Sequence, residues 1–82
     1  MIKVIKFYAD WCGPCRVYAK TFDKVSEEMK EEVEFINVNT TGLAAEYKVA
    51  SIPLTVVVKD GVKKQKSGRL NENTLKQFIL DE

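Results

Sequence analysis

Both cysteines of this 82-residue chain fall in Trp11-Cys12-Gly13-Pro14-Cys15, beside its only tryptophan. Two thiols so spaced can close as a disulfide or open as a dithiol, and the dithiol can reduce another disulfide by exchange. The attacking form is the thiolate, whereas an ordinary thiol near neutral pH is mostly protonated. A helix beginning at Cys12 would offer that thiol free N–H groups and a favourable dipole, lowering its pKa. Each unit so gained is worth about 1.4 kcal/mol in favour of the thiolate. Cys15, one turn further on, would be the more buried and less acidic of the two. The pair then divides into an attacking Cys12 and a resolving Cys15.

Other uses of the pair fit less well. A disulfide across so short a loop removes little entropy from the unfolded chain, so it would be a poor staple. Two cysteines are too few for a secreted disulfide scaffold. Zinc requires two further ligands, and the chain has no other cysteine and no histidine. Only carboxylates, or a dimer sharing two pairs, could complete such a site. The lack of histidine also excludes a histidine general base. An inert pair of core cysteines is the remaining alternative. Trp11 is read as covering the site and meeting partners, with simple packing as the alternative.

The elements that must position the pair follow from periodicity. Ile2 to Ala9 reads as a strand apolar on both faces, as suits a central parallel strand. Tyr18, Phe22, Val25 and Met29 then recur at helical spacing, and Pro14 suits the first turn of that helix. Glu31-Glu32 closes it weakly, since acids oppose the dipole there. Val33 to Val38 alternates as a second strand. A short helical stretch around Leu43, Ala44, Tyr47 and Lys48 ends at Ile52-Pro53. Leu54 to Val58 is an apolar strand, and Asp60-Gly61 is a two-residue hairpin signal. The return strand, Val62 to Ser67, carries Lys63, Lys64 and Lys66. Such a basic run suits an edge strand protected against pairing with another chain, a docking patch for acidic partners being the alternative. Leu70 and Leu75 flank Asn71 as a hydrophobic staple around an N-cap, and Leu75, Phe78 and Ile79 give a terminal helix its stripe.

The order β-α-β-(α)-β-β-α predicts an α/β fold with one four-stranded mixed sheet and helices on both faces. The chain is expected to form a single domain over residues 1–82. Its net charge of +1 predicts no strong field for nucleic acid or acidic membranes. No apolar run approaches the ~20 residues of a membrane span, and Lys3 and Lys6 interrupt the first strand where a signal peptide would be continuously apolar. These features predict a cytoplasmic protein.

With these residues in view, the chain resembles a small thioredoxin. FYADWCGPC (Phe7 to Cys15) matches the family's active-site strand and loop, and Ile52-Pro53 matches its cis-proline dipeptide. Asp60-Gly61 and Gly68 fall where the family turns into its last strand and helix. The similarity covers essentially the whole chain and corresponds to the minimal core of the fold, without the further N-terminal strand and helix of ordinary thioredoxins. It implies that Cys12 attacks and Cys15 resolves, and that Pro53 is cis and faces the cysteines. Trp11, Gly13 and Pro14 would form the rim, and the backbone around Ser51 and Ile52 would pair with an extended substrate. It further implies a monomeric protein-disulfide reductase needing no cofactor beyond its own redox-active disulfide. Its reductant would be a flavoprotein like thioredoxin reductase or a related donor, and its substrates protein disulfides, ribonucleotide reductase among them. Two alternatives are a glutathione-dependent donor of glutaredoxin type and a non-catalytic subunit of a larger complex.

Several positions depart from the family. Lys6 stands five residues before Trp11, where thioredoxins carry a buried aspartate, and Phe35 stands near that aspartate's usual lysine partner. Lys20 replaces a helix-kinking proline, and Leu54 a common threonine. Lys6 has two readings. Its stem could pack while the ammonium reaches water. Alternatively it lies beneath Cys15, where its charge lowers the thiol pKa values and raises the redox potential.

Overall fold

Ile2–Tyr8 forms a strand (β1) because its apolar side chains alternate around Lys3 and Lys6, and it takes the interior of the sheet. The computed structural model describes residues 2–40 and 52–81. Within them follow helix α1 (Gly13–Met29), strands β2 (Val33–Asn39), β3 (Leu54–Lys59) and β4 (Val62–Ser67), and helix α2 (Glu72–Leu80). The sheet order is β2-β1-β3-β4, with β1 parallel to β2 and antiparallel to β3. β1 therefore delivers the cysteines from the middle of the sheet.

One face of the sheet builds the core. Val4 and Val57 are register partners, and they cluster with Tyr18, Phe22 and Val25 of α1 and with Leu75 and Ile79 of α2. The two described helices consequently share this face. On the opposite face Ile5, Phe7, Ile36, Val38, Leu54 and Val56 are partly exposed. The expectation of helices on both faces is thus met on one face by these two. The short helical stretch read at Leu43, Ala44, Tyr47 and Lys48 lies outside the described residues.

The hairpin between β3 and β4 turns on Asp60 (φ 51°) and Gly61 (φ 83°). Two consecutive positive φ values define the turn whose twist matches paired strands, and an Asp-Gly dipeptide supplies them cheaply. β4 is an edge strand, as its lysines predicted, and β2 forms the other edge. Lys64 has a further task there. Its Nζ donates to the carbonyl of Asp81 at 2.6 Å, while Lys59 donates to that of Leu80 at 3.2 Å. Two cations thereby meet the carbonyl-rich end of α2, where the dipole favours positive charge.

At the other end of α2, Asn71 Oδ1 accepts from the backbone N–H of Thr74 at 2.8 Å, and Leu70 and Leu75 are buried as the staple around it. Asn71→Ala is expected to cost about 1 kcal/mol, the usual value of such a cap. The shift of the urea midpoint at unchanged slope measures it.

Candidate active site

Cys12 is the N-cap of α1, and Pro14 lies in the first turn. Cys12 N–H bonds to the Ala9 carbonyl at 3.1 Å, so a tight turn joins β1 to the helix. That junction is tied down further. The Asp10 carbonyl accepts from Arg16 Nη2 at 3.1 Å, and Asp10 Oδ1 accepts from Asn39 Nδ2 at 3.1 Å. The loop is thereby held to the first turn of α1 and to the end of β2.

Cys12 and Cys15 are joined as a disulfide, with their Cα atoms 5.2 Å apart. The N–H of Cys15 donates to Cys12 Sγ at 3.2 Å. In the reduced protein that bond would favour a thiolate on Cys12, adding to the charge at the helix end. Cys15 is the more buried of the two, as expected, but narrowly: it is 2% exposed and Cys12 5%. Cys12 is less open than an attacking thiol suggests, because its sulfur folds back over the first turn. Trp11 is 72% exposed, so packing does not account for it.

Ile52 packs against the cluster of Ala9, Cys12 and Cys15. The Ile52–Pro53 bond is cis, in agreement with the resemblance. Pro53 is buried, and its carbonyl accepts from the N–H of Gly68 at 2.8 Å. Gly68 has φ 93°, which glycine adopts without penalty. Gly13 and Pro14 are exposed beside Cys12, at the rim. Ser51 lies outside the described residues.

Lys6 is 4% exposed, although it is a lysine inside a strand. Its Nζ lies 5.1 Å from the ring centre of Tyr8 and 4.9 Å from that of Phe22, within cation–π range. Lys6 lines a cleft of about 600 Å3 that Cys15 also lines, together with Arg16, Asp23 and Asn37. Lys6 and Cys15 thus border the same cleft, with the Lys6 ammonium set over the two rings. Burial lowers its pKa, and the charge of Asp23 partly opposes that.

The sign of the linkage follows. Between its lowered folded value and the ordinary 10.5, Lys6 is protonated in the unfolded chain and neutral in the native one. The cost of burying the cation is present in full below that window, and stability rises with pH through it. Lys6→Met is accordingly expected to stabilise the protein at neutral pH, with a gain that shrinks as pH approaches 10.5. Urea denaturation of both proteins across that range checks it.

Asp23 and Asn37 escape a reading of the sequence by motif. Arg16, Ala19 and Asp23 do share one helix face beside the Tyr18–Phe22–Val25 stripe, and that spacing is the signal that could have found Asp23. A second unforeseen contact is the 2.6 Å hydrogen bond between Tyr18 Oη and Thr55 Oγ1. It anchors α1 to β3, and burial raises the pKa of the phenol.

Comparison with known proteins decides the family. The thioredoxin family model matches residues 1–81. The chain belongs to the thioredoxin family. It is 36% identical over 61 residues to thioredoxin 1 of Synechococcus elongatus, covering 71% of this chain and 57% of that one. It is 32% identical over 80 residues to the thioredoxin of Rickettsia felis, covering 93% and 76%. Among solved structures, Fasciola hepatica thioredoxin superposes with a TM-score of 0.77 at 38% identity, covering 95% of this chain and 77% of that one. The match thus spans little more than half the length of the Synechococcus relative and about three quarters of the Rickettsia one. Among the described residues, no helix is long and apolar enough to cross a membrane.

Proposed function

We propose that this chain is a thiol–disulfide oxidoreductase that reduces protein disulfides by exchange at Cys12 and Cys15, acting in the cytoplasm as a single monomeric domain over residues 1–82. The observation that carries the reading is the disulfide at the N-terminus of α1, where Cys12 Sγ already accepts the Cys15 N–H. Cys12 attacks the substrate disulfide as a thiolate, forming a mixed disulfide and releasing one substrate thiolate. Cys15 then attacks Cys12 Sγ, which breaks the mixed bond and frees the second substrate sulfur reduced. Two electrons pass from the dithiol to the substrate, and no cofactor takes part.

Trp11, Gly13 and Pro14 form the rim against which the substrate rests. The Ser51-Ile52-Pro53 segment supplies the opposite wall, with its backbone pairing to an extended substrate strand. Lys6 lowers the thiol pKa values and raises the redox potential. A flavoprotein of thioredoxin-reductase type, or a related donor, returns the protein to the dithiol state. Its targets are protein disulfides, with ribonucleotide reductase as one candidate.

Insulin reduction separates the readings. Turnover is expected with NADPH and thioredoxin reductase, and little with glutathione and glutathione reductase. The reverse preference would make the protein a glutaredoxin-type donor. Inactivity with both systems would reject the reductase reading.

A further inference from the structure

Given exchange at Cys12 and Cys15, we infer that Arg69 is a specificity-determining residue of this site, selecting protein disulfides that carry an acidic side chain close to the disulfide. The inference rests on the redox reading above and extends it to the class of substrate.

The chain has two arginines, and both stand next to the reactive site. Arg16 follows Cys15 and is turned to the Asp10 carbonyl at 3.1 Å. Arg69 follows Gly68, whose N–H donates to the Pro53 carbonyl at 2.8 Å, so the backbone that carries it is anchored beside Pro53. Arg69 is exposed, and among the described residues no hydrogen bond or ion pair engages it. It borders a groove of about 310 Å3 between α1 and the β4–α2 loop, which Val17, Tyr18 and Thr21 line from the helix. Gly13, Val17 and Thr21 are spaced four apart and form one line along α1. The groove therefore starts one turn from the rim at Gly13. Val17 is 53% exposed in it, an apolar surface left uncovered beside the guanidinium.

The charge in this groove is of one sign. Among the described residues no acidic side chain lines it, and Glu72, the next acid along the chain, is held by Lys24 at 3.2 Å. A guanidinium is charged at every working pH, and its planar fork of N–H donors meets a carboxylate through two parallel bonds. An extended substrate segment leaving the Pro53 wall lays an apolar side chain on Val17 and brings a carboxylate before Arg69. A lysine at the same place in the segment meets a like charge and is repelled. An exposed ion pair of this kind changes an equilibrium or rate by up to about fivefold. Arg69 thus sets the preference among substrates, while the reactivity of Cys12 is set at the helix end.

The test is single-turnover oxidation of the reduced chain by disulfide-cyclised peptides, followed through the fluorescence of Trp11 beside Cys12. The peptides carry Glu, Gln or Lys at successive positions on either side of the disulfide. At the best position wild type should react about fivefold faster with Glu than with Gln, and slowest with Lys, and high salt should shrink the spread. Arg69→Glu should invert the order. Arg69→Lys should keep it with a smaller spread, since a point charge replaces the fork. Lys30→Glu makes the same change of charge at the far end of α1 and should leave the wild-type order in place. All three variants should match wild type with bis(2-hydroxyethyl) disulfide, which is uncharged and too short to reach the groove. The inference is overturned by no preference for Glu at any position in wild type, or by a preference that survives Arg69→Glu. It is equally overturned by an inversion in Lys30→Glu, or by a changed rate with the small disulfide in Arg69→Glu. Failure of wild type to react with any of these disulfides would instead overturn the redox reading itself.

Discussion

Cys15→Ser should halt the protein half-way through its reaction, bound covalently to its substrate. Cys12, capping α1 and served by the Cys15 N–H, retains everything it needs to attack. The backbone donor survives the substitution, so the mixed disulfide should form at a rate close to that of wild type. It then has no thiol one turn away to displace the substrate, and it should accumulate on a non-reducing gel as one adduct per chain. Cys12→Ser should be inert from the start, because the remaining Cys15 lies inside the first turn of α1 and lacks the N-cap position and the N–H donor that serve Cys12. Turnover falls to the background of the reductant alone in both variants, and only Cys15→Ser traps. The opposite pattern, with trapping by Cys12→Ser, would reverse the two roles.

Phe22→Ala should come close to unfolding the protein. Phe22 is fully buried and stands edge-on to Tyr18 and Phe35, with centroids 5.9 and 5.4 Å away. Its ring also underlies the Lys6 ammonium at 4.9 Å. Removing a buried phenylalanine costs about 3–5 kcal/mol. A chain of this length holds roughly 4–12 kcal/mol in total, at ~0.05–0.15 kcal/mol per residue. The loss is therefore a large part of the whole, and the urea midpoint should fall towards zero. A loss below about 1 kcal/mol would mean that α1 collapses onto the sheet and fills the space.

Local chemistry made much of the fold legible. Asp60-Gly61 placed β4 at Val62–Ser67 because a two-residue turn leaves no freedom of register. The stripe Tyr18, Phe22, Val25 placed the buried face of α1, and Asn71 between Leu70 and Leu75 placed the start of α2. What the sequence concealed depends on contacts between distant residues. Tyr18 and Thr55 are 37 positions apart, and neither announces the other. Periodicity says which side of α1 or α2 is apolar but not which face of the sheet receives it, so their shared face emerged only in three dimensions.

The site was legible to the same degree. Cys12, Cys15 and Trp11 declared themselves by type and spacing. Lys6 drew notice only through the resemblance, as the residue standing where thioredoxins carry a buried aspartate. Its true surroundings, two aromatic rings and a cleft shared with Cys15 and Asp23, arise from β1, β2 and α1 converging. The narrow difference in exposure between the cysteines was also hidden, because it depends on how far the Cys12 sulfur folds over its own helix.

The central claim is that two electrons leave this dithiol for a protein disulfide through Cys12. Mixing the fully reduced chain with a stoichiometric amount of insulin, quenching in acid and weighing both partners by mass spectrometry measures it directly. The account predicts that the chain loses two hydrogens, with Cys12 and Cys15 no longer open to alkylation, while insulin gains two thiols for each chain oxidised. Insulin recovered with its disulfides intact, and a chain still carrying both thiols, would contradict it.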